Sequence, residues 1–190
     1  MKVTYNWLKD YVDFSLSPQE LADGLTSVGL EVESLTALSK GLEDVIVGEV
    51  RSTQPHPSAD RLTRCTVFDG TQELAIVCGA PNVRAGLKVA LAPVGACLPG
   101  ENHIKETKIR GALSLGMLCS ERELELSETH AGIMELAASA VPGRKLVDEL
   151  ALRDFVLEIG VTPNRADCLG VVGVAREVAA LVGSRLKLPD

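Results

Sequence analysis

The feature that most constrains this chain is a series of short β-patterned runs. Val45–Val50, Leu62–Phe68, Glu73–Cys78, Lys88–Pro93 and His103–Arg110 each span six to eight residues and are separated by turn-forming residues. Asp69-Gly70 between the second and third runs is a tight hairpin signal. Pro81-Asn82, Pro99-Gly100 and the Gly111–Gly116 stretch punctuate the rest. Five strands of this length predict a small β-barrel over residues 41–150, with helical signals only at Glu121–Leu126 and Arg144–Leu150.

The flanks read differently. Ser17-Pro18-Gln19-Glu20 places a capping serine, a proline at the first helical position and a glutamate reaching back to the cap, which satisfies orphan amides at a helix start. Leu21, Leu25 and Val28 follow on one face, Gly29 supplies the stop, and Leu30–Leu35 alternates as a strand. Residues 1–40 therefore predict helix, helix, strand. At the far end, Asp167 is the expected cap of a helix carrying Val171, Val174, Val178 and Leu181, with Gly183 as its stop and an alternating Ser184–Leu188 after it. A segment of about 40 residues buries too little apolar surface to fold alone without staples, so residues 1–40 and 151–190 are expected to form one split domain around the barrel.

No apolar run approaches the roughly 20 residues of a membrane helix. Met1–Trp7 carries polar and aromatic residues where a signal peptide would be apolar, which predicts a cytoplasmic protein with no membrane partner. Five cysteines without C-x-x-C spacing are expected to be buried thiols rather than bridges or zinc ligands. The formal charge is −7, and no segment is basic overall, which argues against indiscriminate nucleic-acid binding.

Several local constellations invite chemical readings. His56, Ser58 and Asp60 crowd together, but catalytic triads converge from distant segments. The expected roles there are a proline-stiffened loop, with Asp60 bonding nearby amides and pairing with Arg61. His56, His103 and His130 lack the spacing of a metal site, and Gly79-Ala80-Pro81-Asn82 lacks the residues of a phosphate loop. Lys105, Lys108 and Arg110, read as one strand, precede Gly111–Met117, which puts cations beside a hydroxyl (Ser114) and a thioether (Met117). Such a barrel face suits single-stranded RNA or loops, yet only 3% of residues are aromatic, and stacking on aromatic rings supplies about 1–3 kcal/mol per base in such grooves. RNA binding and plain packing both fit these residues.

Together the segments resemble the N-terminal region of bacterial phenylalanyl-tRNA synthetase beta subunits. The resemblance rests on Trp7-Leu8, His56–Leu62, Cys78–Val83, Arg110–Ser120 and Thr162–Leu169, in that order and covering the whole chain. The middle portion is also similar to free-standing tRNA-binding barrels and to the barrel appended to some methionyl-tRNA synthetases. The resemblance implies an α+β chain, with a five-stranded oligonucleotide-binding barrel inserted into a small helical domain that carries a short sheet. It implies an RNA-binding set of Lys105, Lys108, Arg110, Ser114 and Met117, with Asn82 from the adjacent corner. Its implied partners are tRNA(Phe), the alpha subunit and the remaining beta-subunit domains, since the family's beta subunit continues well beyond this length. Magnesium and ATP are implied for the parent ligase only. For this chain no catalytic residue, cofactor or metal is expected. The competing expectation is an assembly module that touches RNA little.

Overall fold

The computed structural model describes residues 1–188. Strand β1 (Lys2–Thr4) runs straight into helix α1 (Tyr5–Tyr11), where Thr4 Oγ1 accepts the Trp7 amide at 3.2 Å. Helix α2 (Pro18–Ser27) begins with the full capping box: Ser17 Oγ accepts the Glu20 amide at 3.3 Å, and Glu20 Oε2 accepts the Ser17 amide at 2.7 Å. Gly29, at φ +92°, turns the chain into β2 (Glu31–Ala37).

Next come the barrel strands β3 (Ile46–Pro55), β4 (Thr63–Phe68), β5 (Glu73–Cys78) and β6 (Lys88–Pro93). They are followed by the short pairs β7 (Cys97–Leu98) with β8 (Asn102–His103), and β9 (Thr107–Ile109) with β10 (Ala112–Ser114). Strand β11 (Gly116–Leu118), the one-turn helix α3 (Leu146–Glu149), β12 (Phe155–Gly160), a 3-10 segment at Pro163–Leu169 and helix α4 (Val171–Val182) complete the chain.

The chain divides into two units, Met1–Leu38 with Arg153–Asp190, and Ser39–Leu152. In the first, an antiparallel sheet ordered β1–β12–β2 packs Val3, Leu157 and Ile159 with Leu8, Leu21 and Leu25 of the N-terminal helices and Val174 and Val178 of α4. Beneath the 3-10 segment, Arg165 bonds Asp167 through two nitrogens and reaches Glu177 of α4 at 2.8 Å. Gly173 is obligatory here, because a Cβ would collide with the Asp167 carbonyl oxygen.

In the second unit the antiparallel order is β11–β6–β3–β4–β5, with Val47, Val50, Cys65, Val67, Ile76, Val89 and Leu91 buried inside. The open edges approach each other where the Leu115 amide donates to the Ala75 carbonyl of β5 at 2.8 Å, so the barrel is nearly closed. The Asp69-Gly70 hairpin joins β4 to β5, with Asp69 Oδ1 accepting the Thr71 and Gln72 amides.

Several local expectations are corrected. The fifth barrel strand is β11, not His103–Arg110, which breaks into the end of β8, an irregular stretch and β9. Among residues 103–110 only Ile104 is buried, so this run has no inward-facing series of side chains to make it a wall. Residues 121–126 form turns rather than a helix, with Glu125 at φ +53°, and the helix within residues 144–150 is a single turn. Helix α4 starts after Gly170 without a side-chain cap, while Asp167 is taken by Arg165. Residues 184–188 make one bridge, Leu186 to Val12, instead of a strand. Strand β12, which carries the terminal sheet, was not anticipated. Asp60 and Arg61 form no ion pair among the described residues, and Cys97 is half-buried rather than buried.

Candidate nucleic-acid interface

The β9–β10 hairpin projects from the barrel seam on a two-residue turn, Arg110-Gly111, with φ of +50° and +89°. Glycine takes such angles freely, whereas an L-residue with a side chain is disfavoured by roughly 1–2 kcal/mol. The turn is held from beneath by His56, which is 5% exposed. The Ser58 amide donates to His56 Nδ1 at 3.2 Å, which assigns the proton to Nε2, and Nε2 then donates to the Ile109 carbonyl at 3.3 Å. Ser58 Oγ donates to the Arg110 carbonyl at 3.4 Å. The His56–Leu62 segment thus grips the hairpin that carries the cations.

Ser114 sits in the seam, 3% exposed. Its Oγ accepts the Val77 amide at 3.1 Å and donates to the Gly116 carbonyl at 3.0 Å, so its hydroxyl joins β5 to the start of β11. Asn82 is similarly engaged: its Oδ1 accepts the Ile133 amide at 3.0 Å, and its Nδ2 donates to the Ile133 carbonyl at 2.9 Å and to Glu135 Oε1 at 3.0 Å. The bond from Arg84, then that from Asn82, holds the Glu135 carboxyl below the usual carboxylate range. This clamp pins the 121–135 loop.

Two troughs flank the hairpin. Thr107, Ile109 and Ser114 face a cleft of about 1000 Å³, which Lys105, Met117, Arg122, His103 and His130 also line. Lys108 pairs in register with Leu113, so both project to the opposite side. There Leu113 borders a groove of about 320 Å³ with Ser52, Gln54, Arg64 and Thr66 of the outer sheet face. Lys105 is in the irregular stretch before β9, Lys108 within β9 and Arg110 at the turn; the three do not share one strand. The cleft therefore brings together Lys105, Ser114 and Met117, the hairpin turns Lys108 away, and Asn82 serves the loop clamp.

Sequence reasoning missed Arg122, His103, His130 and Glu123 as cleft residues, and the outward pair Ser52 and Gln54 that lines the second groove beside Arg64. The last could have been found from the alternation Arg64-out, Cys65-in along β4. The first group comes from loops with no local signal.

Apart from Lys40, the cations of the barrel unit fall into two sets. Arg51, Arg84, Lys88, Arg144 and Lys145 each face a carboxylate, as in Lys88–Glu49 at 2.6 Å. Arg61, Arg64, Lys105, Lys108, Arg110 and Arg122 are exposed and form no ion pair among the described residues. In the terminal unit, Asp167, Cys168 and Glu177 bring ligand atoms within 4.8 Å of one another. Arg165 occupies that cluster, and its bond to Asp167 pulls that carboxyl down to about 2. With a guanidinium in place and a thiol where magnesium prefers oxygen, these residues do not fit a magnesium ion. Burial pushes the Cys65 and Cys119 thiols up to about 12, which makes them inert packing groups.

A nearly closed five-stranded antiparallel barrel with unpaired cations around one hairpin defines the class of the middle unit, a small β-barrel domain. The chain belongs to the family described as "Putative tRNA binding domain", which matches residues 45–145. Over almost its full length the chain also matches the N-terminal region of phenylalanine--tRNA ligase beta subunits. It is 55% identical over 187 residues to that of Geobacter metallireducens, covering 98% of this chain and 23% of the relative. To that of Syntrophus aciditrophicus it is 49% identical over 190 residues, covering 100% and 24%. The chain thus spans about a quarter of the length of the curated relatives it matches. Among solved structures, a MetRS related protein from Pyrococcus horikoshii is similar over 54% of this chain and 87% of its own, at 23% identity and a TM-score of 0.41.

Proposed function

We propose that this chain is the N-terminal portion of a phenylalanyl-tRNA synthetase beta subunit and contributes tRNA binding to aminoacylation. The observation that carries the reading is the partition of cations. In a chain with a formal charge of −7, six of the twelve arginines and lysines of the barrel unit group around the hairpin and its two troughs without forming an ion pair among the described residues, while five others are paired and Lys40 stands apart in the turn before β3. Phosphate contacts by such groups position RNA without reading its sequence.

On this reading Lys105, Lys108 and Arg110 contact tRNA directly, Met117 offers an apolar contact, and Ser114 and Asn82 support them from the seam and the loop clamp. The barrel unit and the terminal unit are separate domains. The wider proposal is a cytoplasmic ligase whose alpha subunit and further beta-subunit domains carry the ATP- and magnesium-dependent chemistry, and whose tRNA is specific for phenylalanine. No helix among the described residues is long and apolar enough to cross a membrane.

The test is a titration of the chain with tRNA at low and at near-physiological salt. Saturable binding that weakens with salt is expected. No binding even at low salt would replace this reading with that of an assembly module.

A further inference from the structure

The large cleft is chemically sorted by depth. Its buried lining is mostly apolar, with Ile104, Leu118 and Ile133 each 6–8% exposed, and the half-buried thioether of Met117 beside them. Its exposed rim carries Lys105 and Arg122. One carboxylate intrudes: Glu123 Oε2 accepts both the amide and the hydroxyl of Ser120, a residue 8% exposed, at 2.7 and 2.8 Å. Glu123 itself is exposed at the cleft, and its Oε1 accepts no hydrogen bond among the described residues.

Helical RNA presents phosphates and ribose hydroxyls outward and buries the faces of its bases, so it offers nothing to an apolar floor. A phosphate driven into the cleft would meet the Glu123 carboxylate. An unpaired base satisfies both features: its face covers the aliphatic lining, and an exocyclic amino group donates to the free carboxylate oxygen, the pairing that carboxylates make with cytosine N4. The phosphate stays outside, between Lys105 and Arg122.

We infer that this cleft takes the base of an unpaired RNA nucleotide bearing an exocyclic amino group, with Glu123 as the acceptor that discriminates it from uracil. The inference rests on the RNA-binding reading and names the ligand class of the same site. Cytosine and uracil make the sharpest comparison, since they differ where one carries an amino group and the other a carbonyl.

The experiment measures anisotropy of labelled hexacytidylate and hexauridylate on the full chain at low salt, with unlabelled tRNA and a short RNA duplex as competitors. Hexacytidylate is expected to bind about 5- to 100-fold more tightly than hexauridylate, and the duplex is expected to compete poorly with it. Glu123→Gln, whose amide can donate to the uracil carbonyl while its oxygen still accepts from Ser120, is expected to erase or invert that preference. Equal binding of the two hexamers overturns the inference without needing any variant, as does a preference that survives Glu123→Gln. If tRNA binds and neither hexamer does, the cleft assignment fails while the RNA-binding reading stands. If nothing binds, both fall.

Discussion

Replacing Ser114 with alanine separates a seam residue from a contact residue. The hydroxyl is 3% exposed and makes two bonds, from the Val77 amide and to the Gly116 carbonyl. Alanine fills nearly the same space, so no cavity term arises; the loss is two backbone groups deprived of a partner. A fully buried unsatisfied group costs about 1–3 kcal/mol. Val77 and Gly116 both border the open cleft, where water can reach them, so the pair together is expected to lose about 1–3 kcal/mol rather than twice that. For a unit of this size that corresponds to a fall in Tm of about 5–15 °C. Differential scanning calorimetry reads the fall directly, and tRNA affinity measured well below the transition is expected to change little. A Ser114→Ala chain that melts at the unmodified temperature but binds tRNA more weakly would refute the seam assignment and return Ser114 to the contact surface.

Three further outcomes follow from the geometry. His56 is expected to act through the hairpin tip: His56→Ala weakens tRNA binding in the unmodified background but has little effect once Arg110→Ala is present, whereas His56→Gln, which keeps a donor near the Ile109 carbonyl, retains most of the affinity. A full, additive loss in the double variant would remove His56 from the site. Because the folded-state pKa of Asp167 is depressed by its bond from Arg165, its contribution to the terminal unit is fully present above the ordinary aspartate value of about 4 and is lost as pH falls through about 2. Trp7, the only tryptophan, lies in that unit, and its fluorescence should show an acid transition in that window that Arg165→Lys moves to higher pH; no movement would deny the pair its role. Deleting residues 1–38 removes β1, α1, α2 and β2 from around β12 and α4, so amide protection in α4 should vanish while that of β3–β6 persists. Retained protection in α4 would show that the two chain ends do not depend on one another.

Legibility in the sequence followed the range of the interaction. The capping box at Ser17, the Gly29 and Gly183 stops and the Asp69-Gly70 hairpin depend on residues within a few positions, and the structure contains each of them. Strands β3 to β6 announced themselves through alternation or continuous apolar runs. Strand β11 did not, because three residues that begin on a glycine carry too little pattern, and it becomes a wall only through β6, which it pairs, and Leu115, which reaches β5. Lys105, Lys108 and Arg110 could be picked as cations, but the side each takes depends on the hairpin register, which turns Lys108 away from the cleft that Lys105 lines. His56 was the hardest case. Its partner carbonyl at Ile109 is 53 residues away, so nothing local distinguishes it from an ordinary loop histidine.

The central claim, that unpaired cations on the hairpin engage RNA phosphates, is tested most directly by the salt dependence of tRNA affinity in two chains, the unmodified one and Lys108→Ala/Arg110→Ala. Each cation that neutralises a phosphate contributes roughly 0.7–0.9 to the slope of log K against log salt. The account predicts that the double variant loses about 1.4–1.8 from that slope while keeping its Tm. An unchanged slope in a folded double variant would contradict it.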